Sequence, residues 1–146
     1  MVTPPLFIYG TLRDPDILAA VLGRPVPLEA LQPATAADCK TVYVPGQVYP
    51  ALVTAPGASA PGALLFELTD TDHAALDAYE GEEYRRAQLL VSTPAGAVTA
   101  LAYLPTRHIP PDAMAWTLET WTTTHKPLVL AHEAQVAQAA RDTLHR

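Results

Sequence analysis

Six charged side chains lie within five residues of Gly81, and they form the segment of the chain best suited to chemistry. They follow a predicted helix and precede a predicted strand. A carboxylate at such a boundary, Glu80 in particular, can be partly desolvated, which raises its pKa toward the range useful for a general base. The same residues also fit a solvated acidic turn screened by Arg85 and Arg86. Charge alone favours the solvated turn.

A second segment of chemical interest is the sequence Tyr9-Gly10-Thr11-Leu12. Here an apolar strand ends at glycine before a predicted helix, a geometry that exposes successive backbone N–H groups to one side. Such a turn suits a carboxylate, a phosphate or a developing oxyanion. An ordinary tight turn fits the same four residues when they are considered by themselves.

Taken together, the two segments resemble the paired signatures of the γ-glutamylcyclotransferase-like family, specifically its short bacterial branch. The matching motifs are Tyr9-Gly10-Thr11-Leu12, Leu76-Asp77-Ala78-Tyr79-Glu80-Gly81 and Tyr84-Arg85-Arg86. The likeness continues through residues 49–53, 61–64 and 102–104, so it covers about residues 6–104. The tail, with Trp116, Trp121 and His125, is similar to that of some bacterial members, but less specifically.

The resemblance implies an α+β fold, a small closed mixed β-barrel flanked by short helices with a cavity at one end. A single domain is expected over residues 1–146, with the barrel body at about 6–104 and a helical tail at about 111–146.

The resemblance also implies a reaction, the cyclisation of a γ-glutamyl amine or peptide to 5-oxoproline with release of the amine. Glu80 would be the catalytic acid/base, and no metal or cofactor is required. The residues expected to bind substrate are Tyr9, Gly10, Thr11, Leu12, Tyr84, Arg85 and Tyr103. For Tyr84 and Tyr103, packing in the barrel is as good an expectation as substrate contact. Arg85 would neutralise a substrate carboxylate or pair with a neighbouring glutamate, and Asp77 would cap or pair locally.

A different class of function remains open at this stage, because family membership does not fix activity. The same barrel could serve as a non-catalytic module that binds a small ligand or a protein, with Trp116 and Trp121 as an aromatic contact patch. Buried anchors that hold the tail to the barrel are the other interpretation of these tryptophans. The cavity walls and the loop at 55–61 would select the leaving amine, and neither carries a readable code.

The elements that must position these residues follow from local patterns. Leu6 to Tyr9 predicts a buried strand, and Asp14 to Leu22 a helix with Asp14 as N-cap and Gly23 as its stop. A second helix is predicted over 72–79, capped by Asp70 or Thr71. The remaining expectations are strands at 40–44, 47–53 and 63–68, a loop at 55–62, a hairpin of 87–93 with 98–104, and a tail helix at 128–144 with Leu130, Ala134, Ala137 and Ala140 facing inward.

Composition excludes several classes of partner and structure. A net charge of −6 without a basic stripe disfavours nucleic-acid binding. Cys39 is the single cysteine, so no internal disulfide forms, and it is expected to be an inert, partly buried residue. Residues 1–5 lack a basic leader and no apolar run reaches about 18 residues, so a soluble, cytoplasmic monomer or homodimer without membrane association is predicted. The histidines are expected to be surface or interface groups: His73, His108, His125, His132 and His145.

Overall fold

A closed β-barrel of five strands forms the body of the molecule, in the order β1-β3-β2-β4-β5. The computed structural model describes residues 4–144; the predictions made for residues 1–3 and for His145 lie outside this range. β1 pairs antiparallel with β3 and parallel with β5, so the barrel is mixed. The predicted fold class is therefore confirmed. The strands are β1 (Leu6–Ile8), β2 (Leu31–Tyr43), β3 (Pro50–Leu65), β4 (Tyr84–Thr93) and β5 (Gly96–Pro105).

The long β2–β3 pair corrects one prediction, because the expected loop at 55–62 lies inside β3. The register passes from Ala37 opposite Ser59 to Cys39 opposite Thr54, so residues 55–58 face Asp38 alone. Asp38 has a φ of 58°, and its Oδ1 accepts the N–H of Gly57 at 2.9 Å. Proline and glycine here mark a large bulge that bends the ribbon, as they do in many barrels.

The helices α1 (Pro15–Leu22) and α2 (Asp70–Glu80) pack outside the barrel. α1 begins as predicted, since the Asp14 side chain accepts the N–H groups of Asp16 and Ile17, both at 3.1 Å. The N-cap of α2 lies one residue before the two predicted caps. Thr69 is its N-cap and forms a reciprocal capping box with Asp72 at 3.0 Å in both directions.

The tail consists of α3 (Leu118–Thr120), a π-helical turn (Trp121–His125) and α4 (Lys126–Thr143). The predicted tail helix is confirmed, with Ala137 buried and the other three inner positions half-buried. Trp116 and Trp121 are buried, and the indole N–H of Trp116 donates to the carbonyl of Val48 at 3.0 Å. The tryptophans are thus anchors for the tail. No helix within residues 4–144 is long and apolar enough to cross a membrane.

Strand alternation divides the core into two parts. Phe7 belongs to a cluster dominated by small side chains such as Ala36 and Ala100, while Leu6 and Ile8 face a second cluster shared with the helices. Small residues in the first cluster let the strands of a narrow barrel close. The second cluster fixes the helices, and therefore the ends of α2 and α4, against the barrel.

Lys126, the first residue of α4, ties the tail to the start of α1. Its Nζ donates to Asp14 Oδ1 at 2.9 Å and to Asp16 Oδ2 at 2.6 Å. Asp14 is buried and also caps α1, whereas the Asp16 side chain is 61% exposed. We expect Asp14→Ala to lower the free energy of unfolding by about 2 kcal/mol, through the lost cap and the lost buried ion pair.

The matched control is Asp16→Ala, which removes a partner of the same lysine from the exposed side. This change is expected to cost about 0.5 kcal/mol or less. Urea unfolding followed by circular dichroism measures both variants. Equal losses would show that the cap and the burial of Asp14 contribute nothing beyond its pairing with Lys126.

Candidate active site

A cavity of about 200 Å³ opens where the turn after β1 meets the end of α2, the start of β4 and one face of α4. The residues proposed from the sequence that line it are Tyr9, Gly10, Thr11, Leu12, Glu80, Tyr84 and Tyr103. These residues are separated by up to 94 positions in the chain. The barrel and its helices therefore bring the two sequence signatures to one place.

Glu80, the last residue of α2, presents its carboxylate to this cavity. Burial raises its pKa to about 8, and the negative charges of Glu133 and Glu83 add to the effect. The C-terminal end of a helix is also an unfavourable place for a negative charge. Within residues 4–144, no group donates a hydrogen bond to this carboxylate. It is therefore well placed to exchange a proton with a ligand.

The 9–12 turn lies beside Glu80 in the wall of the cavity. A short 3₁₀ turn follows Gly10, and the amides of Gly10, Thr11 and Leu12 find no acceptor within the described part of the chain. First-turn N–H groups of this kind can bind an anionic group of a ligand. Pro50 packs against Gly10, and Tyr84 holds Pro50 by donating its hydroxyl to the Pro50 carbonyl at 2.7 Å.

Gly10 is required by this close packing. A Cβ at position 10 would lie 2.7 Å from Cγ of Pro50. We expect Gly10→Ala to lower the free energy of unfolding by about 1–3 kcal/mol, because one of the two segments must move. Urea unfolding measures this loss.

A double-mutant cycle with Pro50→Ala tests the cause. That change removes the ring atoms but keeps the carbonyl that accepts from Tyr84. The double variant should be more stable than additivity predicts by about 1 kcal/mol or more. Strict additivity would mean that the contact with Pro50 is not the source of the loss.

The tyrosine hydroxyls around the cavity donate hydrogen bonds to other groups of the protein. Tyr9 donates to the carbonyl of Tyr103, and Tyr103 donates to Asp77 Oδ1 at 2.6 Å. Burial, followed by the charge of Glu80, raises the pKa of Tyr9, and burial is also the main cause that raises the pKa of Tyr84 and of Tyr103. Of the two roles expected for Tyr84 and Tyr103, the geometry favours packing, with their rings as cavity walls.

Two side chains in this region, those of Arg85 and His73, lie elsewhere than the sequence suggested. Arg85 is exposed and lies outside the cavity, because neighbouring strand residues point to opposite faces and Tyr84 takes the cavity side. It makes no ion pair with Glu82 or Glu83 within residues 4–144. His73, expected to be a surface or interface group, is buried in α2.

Arg86 connects α2 to β4 through two side chains. It donates to His73 Nδ1 at 2.8 Å and pairs with Asp77 at 3.2 Å, so the expected local pairing of Asp77 is confirmed. His125 is half-buried, with its Nε2 3.1 Å from the Tyr43 hydroxyl. His108 and His132 are exposed, as expected.

Several cavity residues were missed by sequence reasoning, above all Glu133 of α4. The Tyr79 hydroxyl donates to Glu133 Oε2 at 2.5 Å, and Tyr49 donates to Glu83. Burial and the contact with Glu83 raise the pKa of Tyr49 to about 12. The helical periodicity did point to Glu133. It lies on the same helix face as Val129 and Ala137, where an apolar side chain is expected.

The acidic residues of the cavity do not assemble into an evident ligand set for a metal. Among residues 4–144, no group of three or more histidine, cysteine, aspartate or glutamate side chains is arranged to hold a metal ion.

Comparison with known proteins places the chain among relatives of one kind. A family model described as "Gamma-glutamyl cyclotransferase, AIG2-like" matches residues 6–123. AIG2-like protein D of Arabidopsis thaliana is 31% identical over 124 residues, which are 82% of this chain and 80% of that protein. AIG2-like protein A of the same plant is 27% identical over 124 residues, covering 83% of this chain and 73% of its own length.

Solved structures show the same fold at lower identity. The solution structure of an Arabidopsis thaliana protein superimposes with a TM-score of 0.67 at 23% identity and covers 95% of this chain and 93% of that one. A structure named gamma-glutamyl cyclotransferase gives a TM-score of 0.62 at 16% identity, covering 90% of this chain and 85% of that one. These likenesses support the barrel architecture.

Proposed function

The chain belongs to the gamma-glutamyl cyclotransferase, AIG2-like family, and from this premise we propose that it cyclises a γ-glutamyl amine or γ-glutamyl peptide to 5-oxoproline and releases the amine. Family membership suggests cyclotransferase activity in general. The finer proposal, with Glu80 as the general acid/base, rests on the chemistry of the cavity.

One observation carries the proposal: the Glu80 carboxylate lies in the cavity beside the 9–12 turn with a pKa of about 8. A base with a pKa near the operating pH can take a proton and return it within one catalytic cycle. With no hydrogen-bond donor from residues 4–144, the carboxylate is available to the substrate. An ordinary surface glutamate would be too weak a base for the same task.

The proposed reaction begins at the α-ammonium of the γ-glutamyl group. Glu80 takes one proton, and the free amine attacks the γ-carbonyl carbon of the same molecule. A C–N bond forms to close the five-membered lactam, and the C–N bond to the leaving amine breaks. Protonated Glu80 gives its proton to the leaving nitrogen, which restores the carboxylate. The ring nitrogen then loses its second proton to the departing amine, so the products are the lactam and an ammonium ion, and the reaction balances.

The rest of the cavity supports this chemistry by holding one conformer of the substrate. The amides of the 9–12 turn are suited to bind the α-carboxylate of the γ-glutamyl group or to stabilise negative charge that develops on it. The rings of Tyr84 and Tyr103 limit the space available to the γ-glutamyl chain of the substrate. Such confinement is effective for a ring closure, because a flexible γ-glutamyl chain otherwise visits few reactive geometries.

The alternative of a non-catalytic binding module loses its main support in the structure. It depended on Trp116 and Trp121 as an exposed contact patch, and both side chains are buried. The catalytic proposal is therefore the better supported one.

The direct test is 5-oxoproline release by the purified protein from a panel of γ-glutamyl amines and γ-glutamyl dipeptides. We expect turnover of at least one class, with amine and 5-oxoproline formed in equal amounts. Binding of panel members to the cavity, followed by calorimetry, without any 5-oxoproline would contradict the proposed activity and favour a binding protein.

A further inference from the structure

The charges that line the cavity are all of one sign. Glu80, Glu83 and Glu133 contribute carboxylates, and no lysine, arginine or histidine of the described chain lines it. If Glu80 serves the reacting amine, as proposed above, two further acids remain without a role in that mechanism. A cavity lined by charges of one sign attracts the opposite charge and repels its own, so these two acids are suited to discriminate among ligands by charge.

Resting on that proposed function, we infer that Glu133 makes the enzyme selective for γ-glutamyl substrates whose leaving amine carries a second, positively charged group, as a diamine does. The cationic end would pair with the Glu133 carboxylate on α4. Leaving groups that end in a carboxylate, as a peptide does, would be rejected.

The position of Glu133 supports this role in three ways. It lies on α4, whereas the residues proposed to hold the γ-glutamyl group lie on α2 and in the 9–12 turn. It is half-buried, so water weakens a pairing there less than at the surface. Tyr79 donates to its Oε2 at 2.5 Å, which fixes the carboxylate and leaves Oε1 available to a cation.

Glu83 is the other candidate for the same role, and its environment is less suitable. Glu83 is exposed, and its Oε2 accepts a hydrogen bond from the Tyr49 hydroxyl. An exposed ion pair contributes little to affinity because water and salt screen it. Glu83 is therefore the matched control for Glu133, with the same charge in the same cavity.

The experiment compares three γ-glutamyl amides with the same four-methylene leaving chain, ending in an ammonium, a methyl or a carboxylate group. Steady-state kcat/KM for 5-oxoproline release is measured for the wild type, Glu133→Gln and Glu83→Gln at one pH. Any change in the basicity of Glu80 affects all three substrates alike. The ratio between substrates therefore reports on the leaving group alone.

We expect the wild type to favour the ammonium substrate over the methyl substrate by about tenfold or more, as for a partly desolvated charge pair. The carboxylate substrate should be the poorest. Glu133→Gln should bring the ammonium-to-methyl ratio to within about twofold of unity and improve the relative rate of the carboxylate substrate. Glu83→Gln should keep most of the preference.

Other outcomes separate the inference from the function on which it rests. Similar kcat/KM for all three substrates in the wild type would overturn the selectivity and leave the cyclotransferase proposal standing. Equal losses for all substrates in Glu133→Gln would assign Glu133 to the α-ammonium that they share and overturn the inference. Absence of 5-oxoproline from every substrate would overturn the function and the inference together.

Discussion

Glu80→Gln is expected to lower kcat for 5-oxoproline release by about 10²- to 10⁴-fold, the range typical of a lost general acid/base. The amide keeps the shape of the side chain and its place at the end of α2, but it cannot take a proton from the substrate ammonium. Binding should change far less than turnover. The measurement is 5-oxoproline formation at pH 8, with substrate affinity of the variant measured by calorimetry.

The matched control is Glu82→Gln, two residues further along the same acidic segment. Glu82 is exposed and does not line the cavity, so its activity should stay close to that of the wild type. A Glu80→Gln protein with wild-type activity would contradict the proposed mechanism. A large loss in Glu82→Gln would assign the effect to the charge of the segment and not to the cavity carboxylate.

Stability provides a second control for Glu80→Gln, and its sign follows from the pKa. Burial and neighbouring charges raise the pKa of Glu80 from 4.5 to about 8, so the folded protein holds a proton that the unfolded chain releases. The contribution of the protonated group is complete below pH 4.5 and is lost as pH rises toward 8. The glutamine variant should therefore gain stability relative to the wild type across this window, which excludes misfolding as the cause of inactivity.

Local signals were sufficient to predict the elements that carry the chemistry. Asp14, Pro15 and Gly23 mark the two ends of α1 through capping that depends only on neighbouring residues. The strand that ends at Gly10 and the helix that ends at Glu80 follow from similar short patterns. Bringing them together required the barrel, which came from the family resemblance and not from periodicity.

The errors arise where tertiary structure decides. Proline and glycine at 55–62 predict a loop, but the same residues also fit a bulge, and only the partner strand decides between them. Arg85 was expected to bind substrate because it belongs to a motif shared with the family, yet strand alternation places it outside the cavity. Glu133 lies 53 residues after Glu80, and no local pattern shows that α4 returns to cover the cavity.

Glu133 also shows why the cavity chemistry could not be predicted from the Glu80 segment alone. Burial is the largest cause of the raised pKa, and the charge of Glu133 is the next. The tail therefore contributes to the basicity of a residue that belongs to the barrel body. This coupling also makes it possible to assign a titration to Glu80 without removing Glu80 itself.

The pH dependence of kcat/KM is the second large effect that we expect. The carboxylate form of Glu80 is the active base, so activity should rise with pH and the half-maximal point should lie near pH 8. About 1% of a group with this pKa is ionised at pH 6 and about half at pH 8, which predicts about a fiftyfold increase. The γ-glutamyl amide with the methyl-ended leaving chain is the suitable substrate, because its leaving group has no other charge.

The Glu133→Gln variant tests whether this pH dependence arises from Glu80. Removing the negative charge of Glu133 makes ionisation of Glu80 easier, so the half-maximal point should move to lower pH. Activity at pH 6 should therefore rise relative to the plateau, whereas the Glu82→Gln profile should match that of the wild type. A half-maximal point that stays near pH 8 in Glu133→Gln would place the titrating group outside the reach of Glu133. A wild-type kcat/KM profile already flat from pH 6 would show that Glu80 ionises well below pH 8 in the free enzyme, and it would contradict the raised pKa.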